Sequence, residues 1–476
     1  MNSSRNRILL VIALFVLPIA LRALFFYQFP YWNNAIQTPD YASYSIPEPP
    51  TASAKIPPTA AVADGKVILI DDAHSNQFQP DDLEPLVTAL GVRGARVEFD
   101  KGDKPLQSKL KYAGAYIIFS PGESYTADQI LQIQQFVANG GRLIVFTDPT
   151  HSLVQYDSLG NPTIFPDANY ANPVIAPYGL SFVNDYLYDL KKNEGNFRNV
   201  EFTNFAQGPL TKDLKMVVFY GTHAVETQGG TTLLNGSADI LSSLTDRGGG
   251  LSPMALGANG QVLAAGDFTF LTDPYNQVAD NDLLLAHLAD FVIGGRRTPR
   301  LANFPFVFQQ PVSLTTSGGL SLSSGLLAPV AVLQQALKAV NIPLSVSDQA
   351  SPDGDSIVLG TFNSSPDLAA YLQPFGISLA DPDTIDLPGF GTIEKSGTGL
   401  LLFDHGPKTN TLILLAGSST DLPALIKLVA SGNLSACVVQ GDTGVCSLSS
   451  GSSTSSGSSS SFSGFYESAT PTPSGP

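Results

Sequence analysis

Apolar residues fall along this chain in two alternating rhythms. Lys66 to Asp71 is an apolar run ending in acids, as a strand buried on both faces would be. Arg96 to Phe99, Ala115 to Phe119 and Leu143 to Phe146 read as three further strands. Between them, Pro80-Asp81-Asp82-Leu83-Glu84 has the proline and early carboxylates of a helix start. Thr126 and Gln129 have capping-box spacing before a helix through Val137, which Asn139-Gly140-Gly141 stops. The order strand, helix, strand, strand, helix, strand predicts an open, mostly parallel sheet with helices on both faces. After a long insertion rich in Asn, Pro and Tyr, Met216 to Tyr220 and Val262 to Gly266 return to strand character. Asp280 to Ile293 reads as the closing helix. A smaller α/β unit follows, with helical spacing at Val330, Leu333 and Leu337. Its strands are predicted at Ser356 to Gly360, Leu400 to Phe403 and Thr411 to Leu415, and its final helix at Leu422 to Val429.

The flanks read differently. Ile8 to Phe26 is apolar apart from Pro18 and Arg22, follows Arg5 and Arg7, and precedes Tyr27, Tyr31 and Trp32. Nineteen such residues predict a transmembrane signal-anchor with the bulk of the chain extracytoplasmic, a single-pass protein of the cell membrane. A cleaved leader is the competing reading, disfavoured because no small-x-small site follows the apolar core. The division is then a membrane anchor at 1–32, a Pro-rich linker at 33–64, α/β domains at 65–298 and 299–448, and a disordered Ser/Gly/Pro-rich tail at 449–476.

Composition narrows the function. Lys plus Arg number 25 against 41 Asp plus Glu, a net charge of −16 that repels phosphate backbones, so nucleic acid is not an expected partner. The two cysteines, Cys437 and Cys446, flank a Gly-Asp-Thr-Gly turn between short apolar stretches, which predicts a disulfide across a hairpin. No cysteine nucleophile or thiolate metal site can exist before Cys437. Phosphate-loop, dinucleotide-binding, nucleophile-elbow and HExxH patterns are also missing from the sequence.

Open α/β sheets bind ligands beyond the carboxyl ends of their strands. Those ends carry Asp71, Asp72 and His74, then Ser120, Gly122 and Glu123, then Asp148, Thr150 and His151, and later Asp267. All but Gly122 are taken as candidate ligand-binding residues. Asp71, Asp72, His74 and His151 could also hold a divalent metal, which would support a hydrolase. The plainer alternative is that these groups cap helices and close turns. His223 and His287 read as packing or surface residues. Tyr170, Tyr178, Tyr186 and Tyr188 could stack on carbohydrate or serve as local core.

The stretches VILIDDAHSNQFQPDDLEPL from Val67, SPGESYTADQILQIQQFVANGGRLIVFTDPTH from Ser120, YGLSFVNDYLYDLKKNEGNFRNVEFTNFA from Tyr178 and AAGDFTF from Ala264 resemble the class I glutamine amidotransferase-like superfamily. Within it they are similar to an uncharacterised membrane-anchored family akin to auxiliary domains of gliding-motility ABC transporters. The resemblance implies that fold over residues 66–295 and a role beside a transporter or envelope assembly. Amidotransferases of this fold carry a Cys nucleophile at a strand-to-helix elbow; if Phe146-Thr147-Asp148-Pro149 is the equivalent turn, Asp148 stands in its place. Glutamine hydrolysis by that route is excluded. The second unit, at DSIVLGTFNSSPDLAAYL from Asp355 and GTGLLLFDHGPKTNTLILLAGSSTDLPALIKLVA from Gly397, resembles flavodoxin-like modules of cellulose synthase regulatory subunits. The expected function is a non-catalytic binding or scaffold protein with a degenerate amidotransferase-like domain. A metal-dependent hydrolase and a purely structural cell-surface spacer are the alternatives.

Overall fold

The computed structural model describes residues 2–27, 62–63, 65–308, 310–348, 354–363, 365–406, 409–432, 434 and 436–448. The expected tail, and the linker apart from residues 62–63, lie outside the described residues. Two compact units are distinguished, one of Met1–Pro50 with Glu194–Asn196, the other of Thr51–Asn193 with Phe197–Pro476.

The N-terminal apolar run is helical, α1 spanning Asn2–Tyr27. The expected transmembrane span is nevertheless overturned: among the described residues no helix is long and apolar enough to cross a membrane. The first turns, Asn2 to Arg7, are polar, Pro18 removes one backbone donor, and Arg22 puts a fixed charge four residues later. The single-pass membrane location and the transmembrane signal-anchor fall with it.

The second unit is mixed α/β and contains two seven-stranded sheets. Strands of the first are β1 (Val67–Asp71), β2 (Arg96–Asp100), β3 (Ala113–Phe119), β4 (Arg142–Phe146), β5 (Thr231–Thr232), β6 (Met254–Leu256) and β7 (Val262–Ala265), in the order β5-β6-β7-β4-β3-β1-β2. Neighbours from β7 to β2 run parallel, whereas β6 joins β7 as an antiparallel hairpin. Because β1 has β2 on one side and β3 on the other, strand order reverses at the β1/β3 boundary, where a crevice is expected at the carboxyl edge.

Helices α2 (Glu84–Val92), α3 (Leu106–Leu110), α4 (Ala127–Ala138), α5 (Ala168–Ile175) and α6 (Asn281–Ile293) cover this sheet. The two-residue strand period sends Ile68 and Ile70 into the layer containing Leu86 of α2 and Leu288 of α6, and Leu69 into the opposite layer with Phe136 of α4. The capping box reads as in the sequence, the Thr126 side chain accepting from the Gln129 backbone. Two details differ from expectation. The β2–β3 connection contains the short helix α3, too brief to leave a periodic signal. Val217–Tyr220, part of the expected Met216 to Tyr220 strand, stands outside the main sheet and pairs antiparallel with Asn199–Phe202.

The second sheet comprises β8 (Val312–Thr316), β9 (Leu344–Val346), β10 (Asp355–Thr361), β11 (Thr398–His405), β12 (Asn410–Ala416), β13 (Cys437–Gln440) and β14 (Thr443–Ser447), ordered β9-β8-β10-β12-β11-β14-β13. Helix α7 (Ser324–Lys338) and a last helix, Leu422–Ala430, share one core layer. The disulfide is present: Cys437 and Cys446 face each other across the β13/β14 ladder and are bonded. Because the bridge closes a short loop with a separation of 9 residues, its reduction should cost about 2–3 kcal/mol of unfolding free energy. Urea melts with and without dithiothreitol check this; unchanged midpoints would deny the bridge a stabilising role.

Candidate functional site

Asp71 ends β1 in phase with Leu69, so its carboxylate enters the layer beneath α4 and is fully buried. Three side chains donate to it. The Tyr125 hydroxyl lies 2.5 Å from one oxygen, the Tyr116 hydroxyl lies 2.8 Å from the other, and His74 Nδ1 sits 3.0 Å from both. The His74 ring stacks on Tyr125 with centroids 3.8 Å apart, and its Nε2 lies 3.1 Å from Gln129. Burial disfavours the imidazolium, but the Asp71 hydrogen bond and charge outweigh it and raise the His74 pKa. Burial, then the Asp71 charge, push both tyrosine hydroxyls well above the ordinary phenol range.

A second cluster forms past β4 and β7. The buried Asp148 carboxylate accepts from the Thr150 hydroxyl at 2.6 Å and the Thr269 hydroxyl at 2.8 Å, and pairs with His151 Nδ1 at 3.2 Å. Asp267, also fully buried, accepts the Tyr220 and Thr269 backbone N–H groups, both at 2.6 Å. Burial and the neighbouring Asp148 charge raise Asp267 well above the usual carboxylate range. Burial also opposes ionisation of Asp148, but His151 and the two threonine hydroxyls bring its pKa below the ordinary value. Asp267 is therefore the member of the pair that holds its proton to the higher pH. The backbone N–H of Asp148 donates to Asp167 at 2.7 Å, and Asp167 in turn pairs with His223 at 3.2 Å. His223 is thus a packing residue with an ionic partner rather than a surface one.

The nine candidates do not share one constellation. Asp71 and His74 belong to the first cluster, and Asp148, Thr150, His151 and Asp267 to the second. Among the described residues no hydrogen bond or ion pair joins the two. Asp72 is exposed, and Glu123 accepts a 2.5 Å hydrogen bond from Ser75 on the surface. Ser120 directly follows β3 at the order switch, fully buried, with φ of 32° and a hydroxyl that has no partner among the described residues. For the four metal candidates, no group of three or more His, Cys, Asp or Glu among the described residues has a metal-holding arrangement. The proposed aromatic surface is partial: Tyr186 and Tyr188 lie 6.1 Å apart beside Phe197, while Tyr178 packs against the α4/α5 layer.

Sequence reasoning missed Tyr116, Tyr125, Gln129, Asp167 and Thr269. One signal was available. A tyrosine within a strand as apolar as Ala115 to Phe119 must find a partner for its hydroxyl when buried, and the nearest strand-end acid was Asp71.

No family model matches the chain, and no curated protein matches it. Among solved structures it is similar to the mmIFT52 N-terminal domain, at 13% identity and a TM-score of 0.37, over 48% of this chain and 97% of that one. It is also similar to a putative ThuA-like protein from Parabacteroides merdae ATCC 43184, at 13% identity and a TM-score of 0.28, over 49% and 91%. At these scores neither likeness bears on fold or activity.

Proposed function

We infer that this is a non-catalytic binding or scaffold protein whose first sheet is a degenerate amidotransferase-like frame presenting its loops to a polar ligand or a protein partner in a larger assembly. The observation that carries this reading is the saturation of Asp71. A general base needs a lone pair directed at a reacting proton, and this buried carboxylate spends its acceptors on His74, Tyr116 and Tyr125. Asp148 is similarly engaged by Thr150, His151 and Thr269. Groups arranged in this way hold strand ends and loops in register, which suits recognition by a fixed surface.

The test uses the purified full chain with glutamine and with p-nitrophenyl acetate. The expected result is no turnover above buffer, and no difference between the native chain and His74→Ala. Hydrolysis that disappears on that substitution would overturn the reading. Zinc, manganese or calcium should each move the melting temperature by less than about 1 °C, as expected for an ion without a specific site; a larger, saturable shift would favour the metal-dependent hydrolase.

A further inference from the structure

Five cationic side chains, Lys66, Arg96, Lys111, Arg296 and Arg297, line one cleft of about 730 Å³. Its walls include the first residues of β1, β2 and β3, so it opens at the amino edge of the first sheet, opposite the candidate site. Tyr112 and Phe306, with ring centroids 5.0 Å apart, supply an aromatic wall, and Asn341 stands on the far side. Among the described residues no Asp or Glu lines it. Arg96 pairs with Glu98 at 2.8 Å, but the other four cations have no acidic partner among the described residues, a local reversal of sign in a chain of net charge −16.

Helix C-termini attract cations, and this accounts for part of the cluster. Lys66 Nζ donates to the carbonyls of Ile293 and Gly295 at the end of α6, at 2.5 and 2.6 Å. One Arg297 nitrogen donates to the carbonyls of Leu110, Lys111 and Ala113. The remainder is only partly engaged. Arg297 Nε is buried with no partner among the described residues, and desolvation brings that guanidinium down to about 10. Lys111 is half-buried with its pKa lowered by desolvation, and its only ammonium contact among the described residues is the Gly432 carbonyl at 3.2 Å. Arg296 is exposed on the rim. Charges held close together and partly dehydrated repel one another, and an anion bridging them relieves both the repulsion and the bare donors.

We propose that this cleft binds a small organic anion carrying two or more acid groups, phosphoryl or carboxylate, with its carbon frame against Tyr112 and Phe306. Guanidinium forks suit such groups, and the volume matches a metabolite-sized ligand. The site is independent of the strand-end clusters and of whether those are catalytic.

Isothermal titration of the full chain in 50 mM NaCl, with pyrophosphate and with citrate as separate probes, tests the proposal. Saturable one-to-one binding of at least one is expected, weakened tenfold or more in 500 mM salt. Preference for pyrophosphate identifies phosphoryl groups as the charge recognised, preference for citrate carboxylates. Arg296→Ser, at the exposed rim, should weaken the better probe at least tenfold without changing the melting temperature. Asn341→Asp, which places a carboxylate on the far wall, should do the same. Absence of saturable heat from both probes, salt-independent binding, or unchanged affinity in both variants would overturn the proposal.

Discussion

Asp71→Ala should lower the unfolding free energy by about 3–5 kcal/mol, the scale for stranding partners of a buried charge. The substitution strands the hydroxyls of Tyr116 and Tyr125 and His74 Nδ1 together in a buried layer. Asp71→Asn keeps one acceptor oxygen and should cost clearly less, so the difference isolates the carboxylate from its volume. Urea denaturation of the three proteins reads both numbers. A loss under about 1 kcal/mol for the alanine variant would mean that the cluster is not a structural keystone, and would reopen a role for His74 beyond packing.

The second large effect is an asymmetry between two adjacent acids. Asp148→Asn should cost about 3–5 kcal/mol, because it removes the charge that pairs with His151 and turns one acceptor toward the threonine donors as an N–H. Asp267→Asn should cost only about 1–2 kcal/mol, since burial already favours the neutral form of that acid and the amide loses one backbone hydrogen bond. The pH profile separates them further. Asp267 has its folded pKa raised, so its contribution is fully present below the unfolded value near 3.8 and is lost as pH rises through the folded one. Asp148 has its folded pKa lowered, so its contribution is present above 3.8 and is lost as pH falls through the depressed value. Asp267→Asn should therefore flatten the decline in stability above pH 4, and Asp148→Asn should remove the loss on the acid side. Melts from pH 2 to pH 8 check this; equal costs and parallel profiles would show that the two carboxyls titrate alike.

Strands β1, β3 and β4 were legible because a buried parallel strand is apolar at nearly every position, and Thr126 with Gln129 marked α4 because a capping box has a fixed spacing. The Cys437–Cys446 hairpin was legible for the same kind of reason, its turn residues being local. The N-terminal helix shows the opposite case. Hydropathy along Ile8 to Phe26 detected the helix, yet Pro18, Arg22 and the polar first turns decide whether it can span, and they were underweighted. In the insertion, Val217–Tyr220 pairs with Asn199–Phe202 through contacts that no periodicity encodes.

The candidate site was legible as a set of residues but not as an arrangement. Parity was the missing step. Asp71 continues the face of Leu69, and Asp148 lies two residues past Phe146, which enters the opposite layer. Acids that look neighbourly at the ends of β1 and β4, one strand apart in the sheet, thus continue faces that enter opposite layers.

The helices of the first sheet run back against its parallel strands, so their positive ends gather at the edge bearing Asp71, Asp148 and Asp167. Their negative ends gather where Lys66, Arg142 and Arg297 sit. Side-chain charge at each end therefore opposes the helix dipoles that terminate there. Exchanging acids for bases between the two edges would conserve composition and net charge while turning this counterweight into a load.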